Sequence, residues 1–138
     1  MAALTTDRIT PRKGPNLLVY PVATNVKIYA GAFVAINSGG YATPAADAAS
    51  LKVVGVATKM ADNTGGANGA INVEVETGVF DFAATSITQA MVGTKVFIVD
   101  DQTFDDAIGT NSIIAGVLME FISTTRGRVH VDAAHNIL

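Results

Sequence analysis

Four aspartates within "VDDQTFDD", residues 99–106, form the densest set of oxygen donors in the chain: Asp100, Asp101, Asp105 and Asp106. Hard cations such as calcium take about six to eight oxygen ligands, so this stretch has the right chemistry to attract one. A helix-loop-helix calcium site, however, spaces its ligands at alternate positions around a central Gly and closes on a distant Glu. Neither is present, and the stretch reads as a solvated turn following an apolar strand. The only two histidines are His130 and His135. With no Cys, no second His close by and no Ser partner in sequence, each reads as a separate surface imidazole rather than a metal ligand or general base.

A second candidate is "TGGANG", residues 64–69. Phosphate loops of the G-x-x-x-x-G-K-[ST] type and dinucleotide loops of the G-x-G-x-x-G type both open a helix. This loop has neither spacing and runs into a strand, so it reads as a flexible connector. The preceding "DNTGG" resembles the Asp-Thr-Gly of aspartic proteases, but Asn63 separates Asp62 from Thr64. No second copy supplies the paired carboxylate that this chemistry needs. No nucleophile, base and orienting group stand together, and the expectation is a protein that is not an enzyme, with no cofactor and no metal.

Composition narrows the remaining classes. A chain of 138 residues without Cys is the length of one domain, folded by packing or by association rather than by disulfides. Charged residues make up 15% and apolar ones 49%, against a usual charged fraction of about 25%. Such a chain is expected to bury surface against partners. Charge is also unevenly placed: residues 1–13 carry a net +2, whereas residues 62–106 set eight acids against Lys95 alone. A basic tail on an acidic body favours protein partners over nucleic acid, which wants a positive folded face. The N-terminal stretch lacks the apolar core of a signal peptide, and "IIAGVLM" is far short of the roughly 20 residues of a membrane span. Synthesis in the cytoplasm with no membrane partner is expected.

The elements that would position these residues are short, β-branched and aromatic segments punctuated by Gly, Asn, Asp and Pro, the rhythm of an all-β protein. "NLLVYPV" and "VKIYAG" read as a first pair, and "AFVAINSGGYATPA" as a hairpin turning at Ser38, Gly39 and Gly40. "AADAAS" is a loop or a single helical turn, and "SITQAMVG" another such turn. In "INVEVE", Ile71, Val73 and Val75 point one way and Asn72, Glu74 and Glu76 the other. Beyond Gly78 the apolar positions move to Phe80 and Phe82, so Thr77 and Gly78 mark a bulge or corner. In "RGRVHVD", Val129 and Val131 point in while Arg128, His130 and Asp132 point out. "KVFIVDD" and "SIIAGVLMEFIS" are continuous apolar runs, covered on both faces by another sheet or another subunit. Phe97, Ile113, Ile114, Val117 and Met119 are therefore the candidate oligomer interface.

The fold class that follows is all-β: a compact antiparallel β-barrel or β-sandwich over residues 17–138, with at most one or two short helical turns. Residues 1–16 form an extended N-terminal arm. Pro11 and Pro15 bar a helix there, and Leu4 and Ile9 are its only sizeable apolar groups.

The ordered segments "VKIYAGAFVAI…GYATPA", "LKVVGVATK", "VEVETGVFDFA", "VGTKVFIVDDQTF", "IIAGVLMEF" and "GRVHVD", from about Tyr20 to Asp132, together resemble the capsid decoration, or cement, proteins of tailed bacteriophages. The resemblance implies a mostly antiparallel β domain that assembles, commonly as a homotrimer, on the exterior of an icosahedral head. There it would clamp neighbouring major capsid proteins together, and it implies no catalytic residues. On that reading the arm is the capsid contact, with Arg8, Ile9, Arg12 and Lys13 as its candidate residues. The competing expectation is a small β module of a phage fibre or adhesin that binds a host receptor or glycan. The absence of Trp and the presence of only Tyr20, Tyr29 and Tyr41 weaken it, because sugar sites usually expose aromatic platforms. A hydrolase with dispersed Asp and Glu ranks third.

Overall fold

The computed structural model describes residues 2–9 and 16–136. Residues 2–9 are exposed and carry no strand or helix; Arg12 and Lys13 lie outside the described residues. The regular structure of the rest is almost entirely short, mostly antiparallel strands, in keeping with the punctuated sequence.

Alternation in "INVEVE" sets up the first unit. In β7 (Asn72–Glu76), Val73 and Val75 are buried and Asn72 is exposed. Opposite them, β1 (Leu17–Pro21) lays Tyr20 against Val73 and Leu18 against Val75. These strands join β3 (Phe33–Ile36), β4 (Ala42–Pro44) and β5 (Lys52–Ala57) in an antiparallel sheet of order β1-β7-β5-β3-β4. A parallel bridge between Val22 and Ala42 brings the two edges of this sheet together. The strand pair expected from "NLLVYPV" and "VKIYAG" does not form. Instead β1 takes β7 as its partner, and β2 (Lys27–Ile28) pairs with β6 (Ala61–Asp62). The hairpin over 33–44 does form, and its turn is held by the Asn37 carboxamide oxygen, which accepts from the N–H groups of Gly39 and Tyr41 at 3.0 Å each.

The corner expected at Thr77 and Gly78 is where the chain leaves one unit for the other. Gly78, at φ +145°, adopts a backbone that side-chain-bearing residues rarely enter, and β8 (Gly78–Ala84) continues into a closed barrel. Its other strands are β9 (Lys95–Ile98), β10 (Thr103–Asp105), β11 (Ile114–Ser123) and β12 (Arg126–Val131), in the order β10-β8-β12-β11-β9. The change of register puts Phe82 and Ala84 into the barrel core with Val96, Ile98, Phe104, Leu118, Val129 and Val131. Only β8 and β10 run parallel in this barrel. Two single 3-10 turns, Gln89–Met91 and Ala133–Asn136, are the helical content among the described residues.

Why β3 and β5 are apolar throughout is now evident. Phe33, Ala35, Val53 and Val56 face the barrel cluster, while Val34, Val54 and Ala57 face a second cluster with Val22, Ile28, Val73 and Val75. A bulge at Val54, opposite the Val34–Ala35 step, lets neighbouring valines serve both sides. Phe33 stacks on Phe82 at 3.8 Å between ring centroids, joining the two units through one aromatic contact. Burying each such ring contributes about 1.5–3 kcal/mol. Part of the cover for the apolar run of β11 comes from the same chain. Strand β5 and the turn Ala133–Asn136 both lie against β11.

Candidate functional site

The five residues expected at an oligomer interface separate into two groups. Ile113 and Ile114 are buried in the chain's own core, which corrects the expectation that they face a partner. Ile114 pairs across the ladder with half-buried Phe97, and these three residues line one concave site. Val117 stands beside Lys95 on the neighbouring strand, half-buried. Met119 is exposed, because the ladder with β12 skips it between Leu118 and Glu120; a second bulge does the same for Ile122. Exposed Met119 and Ile122, with half-buried Val117 and Phe121, therefore offer the apolar surface of this strand to a neighbour.

The concave site is a cavity of about 450 Å³ between the start of β5, strand β9 and the segment that precedes β11. Leu51, Phe97, Ile108, Ile113 and Ile114 supply its apolar lining, and Lys52 and Lys95 its charge. Asp47 holds one wall: its carboxylate accepts from the N–H of Thr110 at 2.9 Å and of Asn111 at 2.8 Å, and its carbonyl from Asn111 Nδ2 at 2.9 Å. Asn136 Nδ2 donates to the Val53 carbonyl at 2.8 Å and fixes the opposite side. The lining comes from four separate stretches of chain, and no local motif announces it. The one shared signal is a Ser placed immediately before each apolar run, in "AASLKVV" and "TNSIIAG".

The aspartate cluster is not one turn as its sequence suggests: Asp100 and Asp101 lie in the bend after β9, whereas Asp105 ends β10 and Asp106 follows it. Asp100 Oδ1 accepts from the Gln102 N–H at 2.9 Å and closes the link between β9 and β10. Burial pushes the Asp105 carboxyl up, but hydrogen bonds from Asp106, Thr85 and nearby N–H groups outweigh it and leave Asp105 below the usual carboxylate range. Asp106 is raised, chiefly by its hydrogen bond to Asp105. Among the described residues, no three His, Asp or Glu side chains are grouped to hold a metal ion.

The two histidines depart from expectation. His130 Nδ1 and His135 Nε2 lie 2.7 Å apart with their rings nearly perpendicular, because the turn after β12 folds His135 back onto the strand. One ring must donate and the other accept, which requires at least one neutral imidazole. Burial lowers the His135 pKa first, and the nearby charge of His130 lowers it further.

The glycine loop also departs from expectation, since it is pinned rather than slack. Asn63, buried at 3% exposure, donates through Nδ2 to the carbonyls of Ala23 at 2.8 Å and Ala67 at 3.0 Å. Asn68 Oδ1 accepts from the Thr24 N–H at 2.8 Å, and Asn25 Oδ1 from the Gly65 N–H at 2.9 Å. The loop thus clamps residues 22–25, at the point where the first sheet closes on itself.

Of the arm residues, Arg8 is exposed and Ile9 is 96% exposed. The arm leads toward β1, whose outer edge has a readable backbone pattern. Asn16 and Val22 bond to Thr77 and Ile71 of the β7 side, so Leu18 and Tyr20 share that direction. Leu17 and Val19 therefore turn their N–H and C=O groups away from β7. Pro21, which has no N–H, takes the next outward position and shortens the edge. No helix among the described residues is long and apolar enough to cross a membrane. Comparison with protein-family models, curated proteins and solved structures returns no match.

Proposed function

We propose that this chain is a structural virion protein that decorates the exterior of an icosahedral tailed-phage head and cements neighbouring major capsid proteins. The observation that carries this reading is the contrast between body and arm. The body is doubly cored and closed on itself, while residues 2–9 lie exposed, with Leu4 at 71% and Ile9 at 96% exposure. A segment that exposes its own apolar groups beside Arg8 has the chemistry of an arm that becomes ordered on a partner. The ordered resemblance to decoration proteins supplies the partner class. Arg8, Ile9, Arg12 and Lys13 are the proposed contacts. Self-association, commonly as a trimer, uses the exposed side of β11 at Val117 and Met119, extended by Ile122.

Cementing by such a protein is thermodynamic linkage: whatever binds the assembled shell and not its separated parts stabilises the shell in proportion to occupancy and affinity. Many copies of modest affinity are enough. The test is deletion of residues 2–13 followed by co-sedimentation with expanded heads across a salt series. The expected result is that the truncated chain stays folded and loses most of its occupancy, while binding of the intact chain weakens as salt rises. Equal occupancy by both forms would remove the arm from the account and move the contact to the body.

A further inference from the structure

We propose that the cavity between β5, β9 and the 107–113 segment is a binding site for a small amphipathic anion: an aliphatic or aromatic body carrying a carboxylate, sulfonate or similar acid. Its size, about 450 Å³, falls within the roughly 300–1,000 Å³ range of small-molecule sites.

Charge is the first argument. The chain has a net charge of −3, yet the ionisable residues lining this cavity are Lys52 and Lys95, with no acid among them. The Asp47 carboxylate behind the wall is already occupied by two backbone N–H groups. The apolar lining beneath the lysines, Phe97 with Ile113 and Ile114, suits the body of such a ligand. Ile108 belongs to the same lining and is 65% exposed, an apolar group with nothing of its own chain to cover it.

Backbone strain is the second argument, and it is independent of charge. Among the described residues, four that are not glycine have positive φ: Asn16, Asn25, Ser50 and Ser112. Asparagine tolerates that region through its short polar side chain. The two serines do so less readily, and both line this cavity, at φ 64° and 56°. Strained backbone persists where the surroundings over-determine it, and it gathers at ligand clamps. Here the surroundings are the Asp47 and Asn136 hydrogen bonds, which order the walls in advance and lower the entropy lost when a ligand enters.

The test titrates the full chain with anilinonaphthalene sulfonate, an aromatic anion whose fluorescence rises in apolar surroundings, and with uncharged phenylnaphthylamine as a control. Saturable binding of one anion per chain is expected, and decanoate should displace it. Lys52→Ala and Lys95→Ala should each weaken the anion about tenfold, the effect of losing one charge-assisted hydrogen bond, and leave the neutral probe unchanged. Thermal melts of the variants establish that they are folded. Should either alanine variant fail to fold, Ile108→Asp, at an exposed position, should abolish binding of the anion. Non-saturable uptake, lysine variants that bind like the wild type, or a native chain that binds nothing because a second copy covers the cavity would each overturn the proposal.

Discussion

Replacing Asn63 measures how firmly the glycine loop is built into the fold. Its Nδ2 donates to the carbonyls of Ala23 and Ala67, but the two acceptors are not equivalent. Ala67 is exposed and its carbonyl also accepts from the Ala70 N–H, so water and that neighbour satisfy it after Asn63→Ala. Ala23 is 6% exposed, and its carbonyl is left without a donor. An unpaired buried acceptor costs about 1–3 kcal/mol. For a domain of this length, 1 kcal/mol moves the melting temperature by about 3–5 °C, so Asn63→Ala should melt roughly 5–10 °C lower by calorimetry. Asn63→Asp keeps the shape but turns an oxygen toward that carbonyl, and should cost more than alanine at neutral pH. The new carboxyl is favoured only when protonated, so its folded pKa lies above its unfolded value near 3.9. The deficit of the aspartate variant should therefore be smallest below about pH 4 and grow as pH rises. A melting point for Asn63→Ala within about 1 °C of wild type would refute the reasoning and return the loop to the status of slack.

The lowered pKa of His135 means that its folded form prefers the neutral ring, so stability should be level above 6.5, its ordinary value, and fall as pH drops below it. His135→Asn should flatten that part of a pH-stability profile; an unchanged slope would place the titration elsewhere. Ser112→Gly relieves a left-handed backbone worth about 1–2 kcal/mol and gives back about 0.5–1 kcal/mol in unfolded-chain entropy, so the melting temperature should rise by a few degrees. Ser112→Val, β-branched at the same φ, should lower it. Replacing Asp105 and Asp106 with Asn should leave stability insensitive to calcium. Loss of half-buried Asp105, whose hydrogen bonds lower its pKa, should cost some stability at neutral pH, and removal of raised Asp106 should offset part of that loss. A calcium-dependent rise in the melting temperature of the wild type, lost in this double variant, would establish the metal site that the sequence spacing argues against.

Local pattern carried the all-β class and much of the detail. The slip from Val73 and Val75 to Phe80 and Phe82 identified the corner at Gly78, since a one-residue shift in a period of two has few other causes. The alternation of "RGRVHVD" likewise placed Val129 and Val131 inside. Pairing was less legible. Strand β1 lies next in sequence to β2 but bonds to β7, laying Tyr20 against Val73, a choice made by burial on the far side of the sheet. Only the first half of β11 is covered on both faces, while Val99, Met119 and Ile122 stay exposed, and a one-dimensional pattern does not distinguish cover by the same chain from cover by a second chain. That ambiguity puts Ile113 and Ile114 at an interface, whereas both are buried within the chain itself. The cavity was invisible for a related reason, because Ser50, Lys95, Ser112 and Asn136 meet only in three dimensions. Asn63 and the histidine pair show the same limit: whether a polar residue is buried or paired depends on what folds over it.

The central claim is that this chain holds assembled capsid together, and heating shells with and without it tests that claim most directly. Expanded heads of a tailed phage, stripped of decoration, would be titrated with purified protein and followed by calorimetry and sedimentation. The account predicts saturable occupancy and a shell dissociation temperature that climbs with occupancy and then levels off, with the separated capsid protein unaffected. Heads that fall apart at the same temperature at every protein concentration, with none of the chain sedimenting alongside them, would contradict it.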